Sequence, residues 1–335
     1  MTNKNISHLI GTLIILWVMQ TSVCLSITID ELVGKCQSAE LAIQDVSLEY
    51  EYYAIPPSTL EEAQKELGAE LVGVYKDGIV RHKLSSARFF EPNDEDSFHS
   101  PYRWRILSER SGTIIAEKGA SWDDFTKESY DGQIYKKSTA GGWQTSTKSG
   151  LISERSWEDL RGNVLLSPIG FSILRFEVEG DRVLLSTLLR QKASKNLVRI
   201  NDSTEKVGDF NTICAEVLLQ LDTRQVPVRR LYFSIQHNYT PVKYEYLNPT
   251  KEGFQLSYTV EVQSLQSVGD GLWFPSSGII QDGESPKAYG FRATSKIVIN
   301  KGLKKEDFNI EFQPGTKVHD LVAGREYTVK EEATD

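Results

Sequence analysis

The feature that most constrains this chain is a run of strict alternation near its C-terminus. In FQLSYTVEV, Phe254, Leu256, Tyr258, Val260 and Val262 alternate with Gln255, Ser257, Thr259 and Glu261. Successive side chains of an extended strand point to opposite faces, so the pattern reads as a strand with one dry and one wet face. PVKYEYL repeats it, with Val242, Tyr244 and Tyr246 opposed to Lys243 and Glu245. NTICAEVLLQLD, RRLYFSIQHN, GLWFPSSGII and TSKIVINKG are further strand-like runs separated by turn residues. A chain so patterned folds as an antiparallel meander. In GLWFPSSGII, alternation lets only one of Trp273 and Phe274 face inward, and Pro275 marks an edge or a bulge because proline cannot donate to the ladder.

The N-terminus carries a different signal. Lys4 is the single charge in residues 1–26, and the apolar run over residues 9–19 is about half the ~20 residues a spanning helix needs. A secretory signal removed after Ser26 fits better than a membrane anchor. A lipoprotein site at Cys24 is the alternative, but TSVC lacks the leucine and the small residue expected before such a cysteine. The whole chain has a formal net charge of -8, and losing the signal removes one further positive charge. Such acidity opposes nucleic acid and electrostatic docking on anionic lipid. Later apolar runs are too short to cross a bilayer, so the protein is not read as an integral membrane protein.

After the cut, TIDELVGKCQSAELAIQDV reads as a helix. Thr28 and Glu31 form a capping box, and Leu32, Cys36, Ala39 and Ile43 make one apolar stripe. Residues 47–55 read as a strand stopped by Pro56 and Pro57, and residues 58–68 as a short polar helix. From residue 70 to 135 the pattern is mostly period two; in YRWRILSE, Tyr102, Trp104 and Ile106 share one face. GDRVLLSTLLRQKASKN reads as a second helix on Leu184, Leu185, Leu188 and Leu189. The expected fold is mainly β: a large curved antiparallel sheet, an incomplete barrel, with a few covering helices. Residues 27–330 form one domain with an extended middle region at 61–180, followed by a short tail at 331–335.

Catalytic patterns are sparse. Gly-x-Ser-x-Gly is absent, and His82, His99, His237 and His319 show no metal-ligand spacing. EPNDEDSFH, residues 91–99, lacks the register and glycine of a calcium loop. Carboxylates are many, but no segment singles out a pair. There is no glycine-rich phosphate cradle and no Cys-x-x-Cys pair, so no cofactor or metal is expected. Cys36 and Cys214 are either disulfide-bonded, as export permits, or two buried thiols. Asn201 and Asn238 begin glycan-acceptor triplets. What remains is aromatic and aliphatic surface on strand faces. An apolar concave face is a pocket for a greasy ligand, and its candidate residues are Trp104, Leu188, Phe233, Tyr244, Tyr258 and Phe274.

The order of features also resembles a family. A signal and helix lead into SLEYEYY; RRLYFSIQHNYTPVKYEYLN is similar to the strand pair, and GLWFPSSGII to the G-hydrophobic-W-x-P strand, of the LolA-like, outer-membrane lipoprotein-sorting superfamily. The likeness covers residues 27–60 and 180–330. It implies an unclosed barrel lidded by helices and a non-catalytic activity, holding a lipid acyl chain or a lipoprotein in the cell envelope. Two other readings stand beside it: an envelope scaffold or stress sensor that binds protein partners, and a hydrolase.

Overall fold

The computed structural model describes residues 27–55, 73–75, 78–90, 102–116, 121–141, 148–154, 176–178, 181–183, 185–250, 253–282 and 288–330. The signal segment, the 58–68 helix, the 91–99 loop with His99, and the 331–335 tail lie outside the described residues.

The N-terminal helix is Ile29–Ala42. Both halves of its capping box form, with the Glu31 amide donating to Thr28 Oγ1 at 3.2 Å and the Thr28 amide to Glu31 Oε2 at 2.8 Å. Its buried stripe is the expected one, with Leu32, Cys36 and Ile43 in the core and Ala39 packed against it. The chain then enters β1 (Asp45–Ile55), β2 (Gly73–Tyr75), β3 (Ile79–Phe90), β4 (Tyr102–Ala116), β5 (Ser121–Tyr130), β6 (Tyr135–Ala140) and β7 (Ser149–Ser153). A small hairpin, β8 (Phe176–Val178) with β9 (Asp181–Val183), precedes the second helix, Leu185–Ala193. The sequence reading started that helix too early, since Asp181, Arg182 and Val183 are strand.

The C-terminal strands are β10 (Val198–Val207), β11 (Phe210–Leu221), β12 (Arg224–Ser234), β13 (Thr240–Thr250), β14 (Gly253–Gly269), β15 (Leu272–Asp282) and β16 (Ala288–Ala293). Three short ones follow: β17 (Val298–Ile299), β18 (Lys317–Asp320) and β19 (Arg325–Thr328). The paired residues give the path of one 17-stranded sheet. It runs β10-β11-β12-β13-β14-β15-β16-β1-β3-β4-β5-β6-β7-β18-β19, with β17 beside the start of β1 and β2 beside the end of β4. The protein is thus mainly β, one large curved sheet that stays open. Every pairing is antiparallel except that of β7 with β18. Five strands of the unmatched middle region, β3 to β7, continue the same sheet.

β1 joins the halves. It pairs with β16 on one side and β3 on the other, and Asp45 at its start accepts from the amides of Lys301, Gly302 and Leu303 at 2.7–3.1 Å. The core has two main parts. One lies under both helices and joins Leu32, Val33 and Cys36 to Leu185, Leu188, Leu189, Leu231 and Phe233. The other centres on Tyr50, Val242, Val262, Phe274 and Phe291. The Tyr50 hydroxyl donates to the Pro275 carbonyl, and Gly278 makes room for the Phe291 ring, which would lie 2.5 Å from a Cβ there.

Glu40 ties the helices together. Its buried carboxylate accepts from the Ser186 amide at 3.0 Å and from the Ser186 hydroxyl. It therefore caps the first turn of the second helix, where a negative charge meets the positive end of the helix dipole.

Candidate functional site

Register places side chains on one face strand by strand. Across the C-terminal half, the inner face carries Val198 and Ile200, then Ala215 and Val217, Arg229 and Leu231, Tyr244 and Tyr246, Tyr258 and Val260, Ile280, and Phe291. Tyr50 and Tyr52 of β1 extend this wall. The Tyr244 and Tyr258 rings meet edge to face, 6.4 Å apart. Tyr244 packs against both parts of the core. Burial holds its hydroxyl above the usual tyrosine range, against the pull of a hydrogen bond from Arg229. The Arg229 guanidinium also lies 5.5 Å from the centre of the Tyr246 ring, a favourable cation–π distance. Tyr246 is 37% exposed, so the aromatic wall reaches solvent at this end.

The six candidate residues fall into three groups. Tyr244 and Tyr258 are half-buried neighbours on the inner face. Leu188, Phe233 and Phe274 are fully buried; Leu188, on the second helix, packs with Phe233 in the core between helices and sheet, and Phe274 lies in the central core. Trp104 lies on β4, opposite Arg88, and its side chain is outside the described residues. Register adds Arg229 and Tyr246, which sequence reasoning did not single out. The alternation of PVKYEYL already put Tyr246 beside Tyr244; nothing in the sequence marked Arg229.

Leu272 and Phe274 enter the core, whereas Trp273 stays half-buried with its ring 4.6 Å from that of His237. The two aromatics of GLWFPSSGII therefore part as alternation requires. The register of β14 and β15 slips beside Pro275, where Leu265 faces Pro275 and Ser264 faces Ser277. A bulge lies where the proline breaks the ladder. The dry face of β14 is shorter than its pattern suggests. A register shift beside Tyr258 leaves Phe254 and Leu256 40% or more exposed, and Phe254 instead lies under Arg230, 4.8 Å from its guanidinium.

The outer face is charged. Arg199, Glu216, Arg230, Glu245, Lys243 and Glu261 form a ladder across β10 to β14. Burial raises the pKa of Glu216, but hydrogen bonds from Arg199 and Arg230 outweigh it and hold the carboxyl below its ordinary range.

Cys36 and Cys214 are free and buried. Cys36 lies on the helix side of the sheet; Cys214, flanked by the inward Ile213 and Ala215, points to the other side with Val207 and Tyr232. The disulfide does not form because the sheet separates the two sulfurs. Burial pushes both thiols up, Cys214 to about 12.

Between the N-terminal helix and the turns at 238–241 and 271–274 is a cleft of about 30 Å3, room for a water or two. His237 sits nearby, its Nδ1 2.8 Å from the buried Ser234 hydroxyl. Among the described residues, no group of three or more His, Cys, Asp or Glu is placed to hold a metal ion. Nor is any described helix long and apolar enough to cross a membrane.

No protein-family model matches the chain, and no curated protein matches it. Solved structures do. One is described as an outer membrane lipoprotein-sorting protein domain from Vibrio parahaemolyticus, with 12% identity, TM-score 0.39, and coverage of 84% of this chain and 97% of that one. Another is a DUF1329 family protein from Desulfovibrio piger, with 10% identity, TM-score 0.40, and coverage of 83% and 95%. The first bears the name of the superfamily the sequence resembles. Likeness at these TM-scores carries no inference about ligand or activity, so the functional reading rests on the geometry.

Proposed function

We propose that this is an exported, non-catalytic binding protein that holds an acyl chain, free or on a lipidated partner, against the inner face of its C-terminal half. The observation that carries the reading is the composition of that face. From β10 through β16 and β1, register aligns aliphatic and aromatic side chains, with Arg229 the one charged group among the inward residues named above. Such a wall, which reaches solvent at Tyr246, suits a chain with one polar end. The helices cover one end of the wall, and the open end runs past Tyr244, Tyr246 and Tyr258.

The test is native mass spectrometry of the purified chain, followed by titration with a fluorescent fatty acid. The expected result is one acyl species per chain, displaced by oleate and weakened about ten-fold by Tyr244→Ala with Tyr258→Ala, the loss of roughly 1.4 kcal/mol of contact. A clean apo mass with no fatty-acid uptake would overturn the reading.

A second reading, contact with a protein partner, is favoured by one observation. Leu321 and Val322 are 60% and 45% exposed at the turn between β18 and β19, at one end of the sheet. A pull-down that loses its partner on Leu321→Ser with Val322→Ser would support it.

A further inference from the structure

The inner face changes character at β1. Register carries the rows of the apolar wall straight on into β3 to β7, where they become polar. Tyr50 lies opposite His82, His82 opposite Arg110, Arg110 opposite Thr126, and Thr126 opposite Thr139. The next row runs Leu48, Leu84, Ser108, Glu128, Lys137 and Leu151. The third includes Val46, Ser86, Tyr130, Tyr135 and Ser153.

This polar wall is largely dehydrated. His82, Ser86, Ser108, Thr126, Glu128 and Ser153 are all more than nine-tenths buried. Several are already joined: His82 Nε2 lies 2.8 Å from Ser108 Oγ, the Tyr135 hydroxyl donates to Glu128 Oε1 at 3.0 Å, and Lys137 Nζ is 3.1 Å from the same oxygen. Two are not. The hydroxyls of Ser86 and Ser153, 0% and 3% exposed, have no hydrogen-bond partner among the described residues. Register aims them to the inner side, Ser86 beside Val46 and Ser153 beside Tyr135, both residues of the central core. A buried hydroxyl without a partner is unfavourable, and a natural protein keeps few of them. The wall also has a way in. Its burial is graded, with the Arg110 and Lys137 side chains 38% and 40% exposed and Glu128 8%.

We infer that this wall takes the polar head of the amphiphile whose chain lies on the apolar wall, and that the head is zwitterionic or uncharged. The inference rests on the acyl-binding reading above. The charge class follows from the balance of the wall. Among the described side chains, Arg110 is 3.8 Å from Asp124 and Lys137 is 3.1 Å from Glu128, so each of these two cations has a carboxylate beside it, while the buried Arg110 Nε keeps an N–H without a hydrogen-bond partner there. Buried hydroxyls beside partly exposed, paired charges offer hydrogen bonds to a head without an excess of either sign; an anionic head would need an unmatched cation. The junction at β1 sets the geometry. Tyr50 and Tyr52 stand between the walls, and the Tyr52 ring lies 6.3 Å from that of His82, so a molecule crossing this seam has its chain on one side and its head on the other.

The experiment compares three probes on the full purified chain by native mass spectrometry: dioleoyl phosphatidylethanolamine, dioleoyl phosphatidylglycerol with the same chains and an anionic head, and oleic acid. The expected result is at least about a ten-fold preference for the zwitterionic lipid, the worth of one hydrogen bond made in a dry site. Ser86→Ala with Ser153→Ala removes that preference, keeps oleic acid binding and leaves the melting temperature unchanged or higher. Glu128→Gln, which leaves Lys137 without its counter-charge, shifts the preference toward phosphatidylglycerol; a merely structural role would not reverse head selectivity. Equal binding of both phospholipids, or selectivity untouched by either variant, overturns the inference while leaving acyl binding standing. Uptake of none of the three probes overturns both.

Discussion

Glu40→Ala is the sharpest test of how the helices are held over the sheet. The side chain is 3% exposed and takes two hydrogen bonds from Ser186, one from the backbone amide at 3.0 Å and one from the hydroxyl. Truncation leaves both donors buried and unpaired, at about 1–3 kcal/mol each. It also removes a negative charge from a helix N-terminus, worth about 0.5–1 kcal/mol. Relief of the carboxylate's own desolvation offsets part of this, so the net loss is about 3 kcal/mol. At about 2–3 °C per kcal/mol for a chain of this size, the melting temperature falls by roughly 6–9 °C. Calorimetry gives the shift. Limited trypsin digestion localises it, because Arg190, Lys192 and Lys195 on and just after the second helix become faster cleavage sites. A double-mutant cycle with Ser186→Ala should show coupling above about 1 kcal/mol, as expected for groups in direct contact. A melting temperature within 2 °C of wild type, or additive single effects, would refute the account of Glu40 as the tie between the helices.

Other outcomes follow from the buried titratable groups. Burial, with Arg110 nearby, lowers the pKa of His82 to about 4 from an ordinary value near 6.5. A histidine with a depressed folded pKa binds more protons when unfolded, so its stabilisation is whole above pH 6.5 and is lost as pH falls toward 4. His82→Gln should therefore remove about 2 kcal/mol of the stability that wild type loses between pH 7 and pH 5, read by urea denaturation at each pH; identical pH slopes would count against a buried, neutral His82. In a chain purified without residues 1–26, and so without Cys24, the thiols of Cys36 and Cys214, buried and shifted upward, should ignore Ellman's reagent at pH 8 in the native protein and release two equivalents in guanidinium. Fast labelling of either native thiol would contradict the packing.

Much of the fold was legible in the chain because its signals are local. The capping box of Thr28 and Glu31 needs only spacing, and so does the stripe of Leu32, Cys36 and Ile43. The alternation of Val242, Tyr244 and Tyr246 marks a strand with one dry face wherever that strand ends up. The split between Trp273 and Phe274 followed from the same period of two, and the bulge beside Pro275 from the missing amide of proline.

Other features depended on partners distant in sequence. Phe254 and Leu256 continue the dry pattern of β14, yet a register slip opposite β13 puts them in solvent; a slip depends on the neighbouring strand and is invisible in either strand alone. Whether Cys36 meets Cys214 was settled by which side of β11 each occupies. The central place of β1, paired with β16 across some 240 residues and with β3 across some 30, has no local mark. Nor does the contrast between the two walls of the inner face. His82, Ser86, Glu128 and Ser153 carry no local mark of the wall they share, and Arg229 is one basic residue among many. Local sequence determined which segments are strands and helices and which side of each is apolar. Only the tertiary structure decided which strands are neighbours, and so which side chains share a face, because strand pairing is a long-range choice fixed by the packing of the whole sheet.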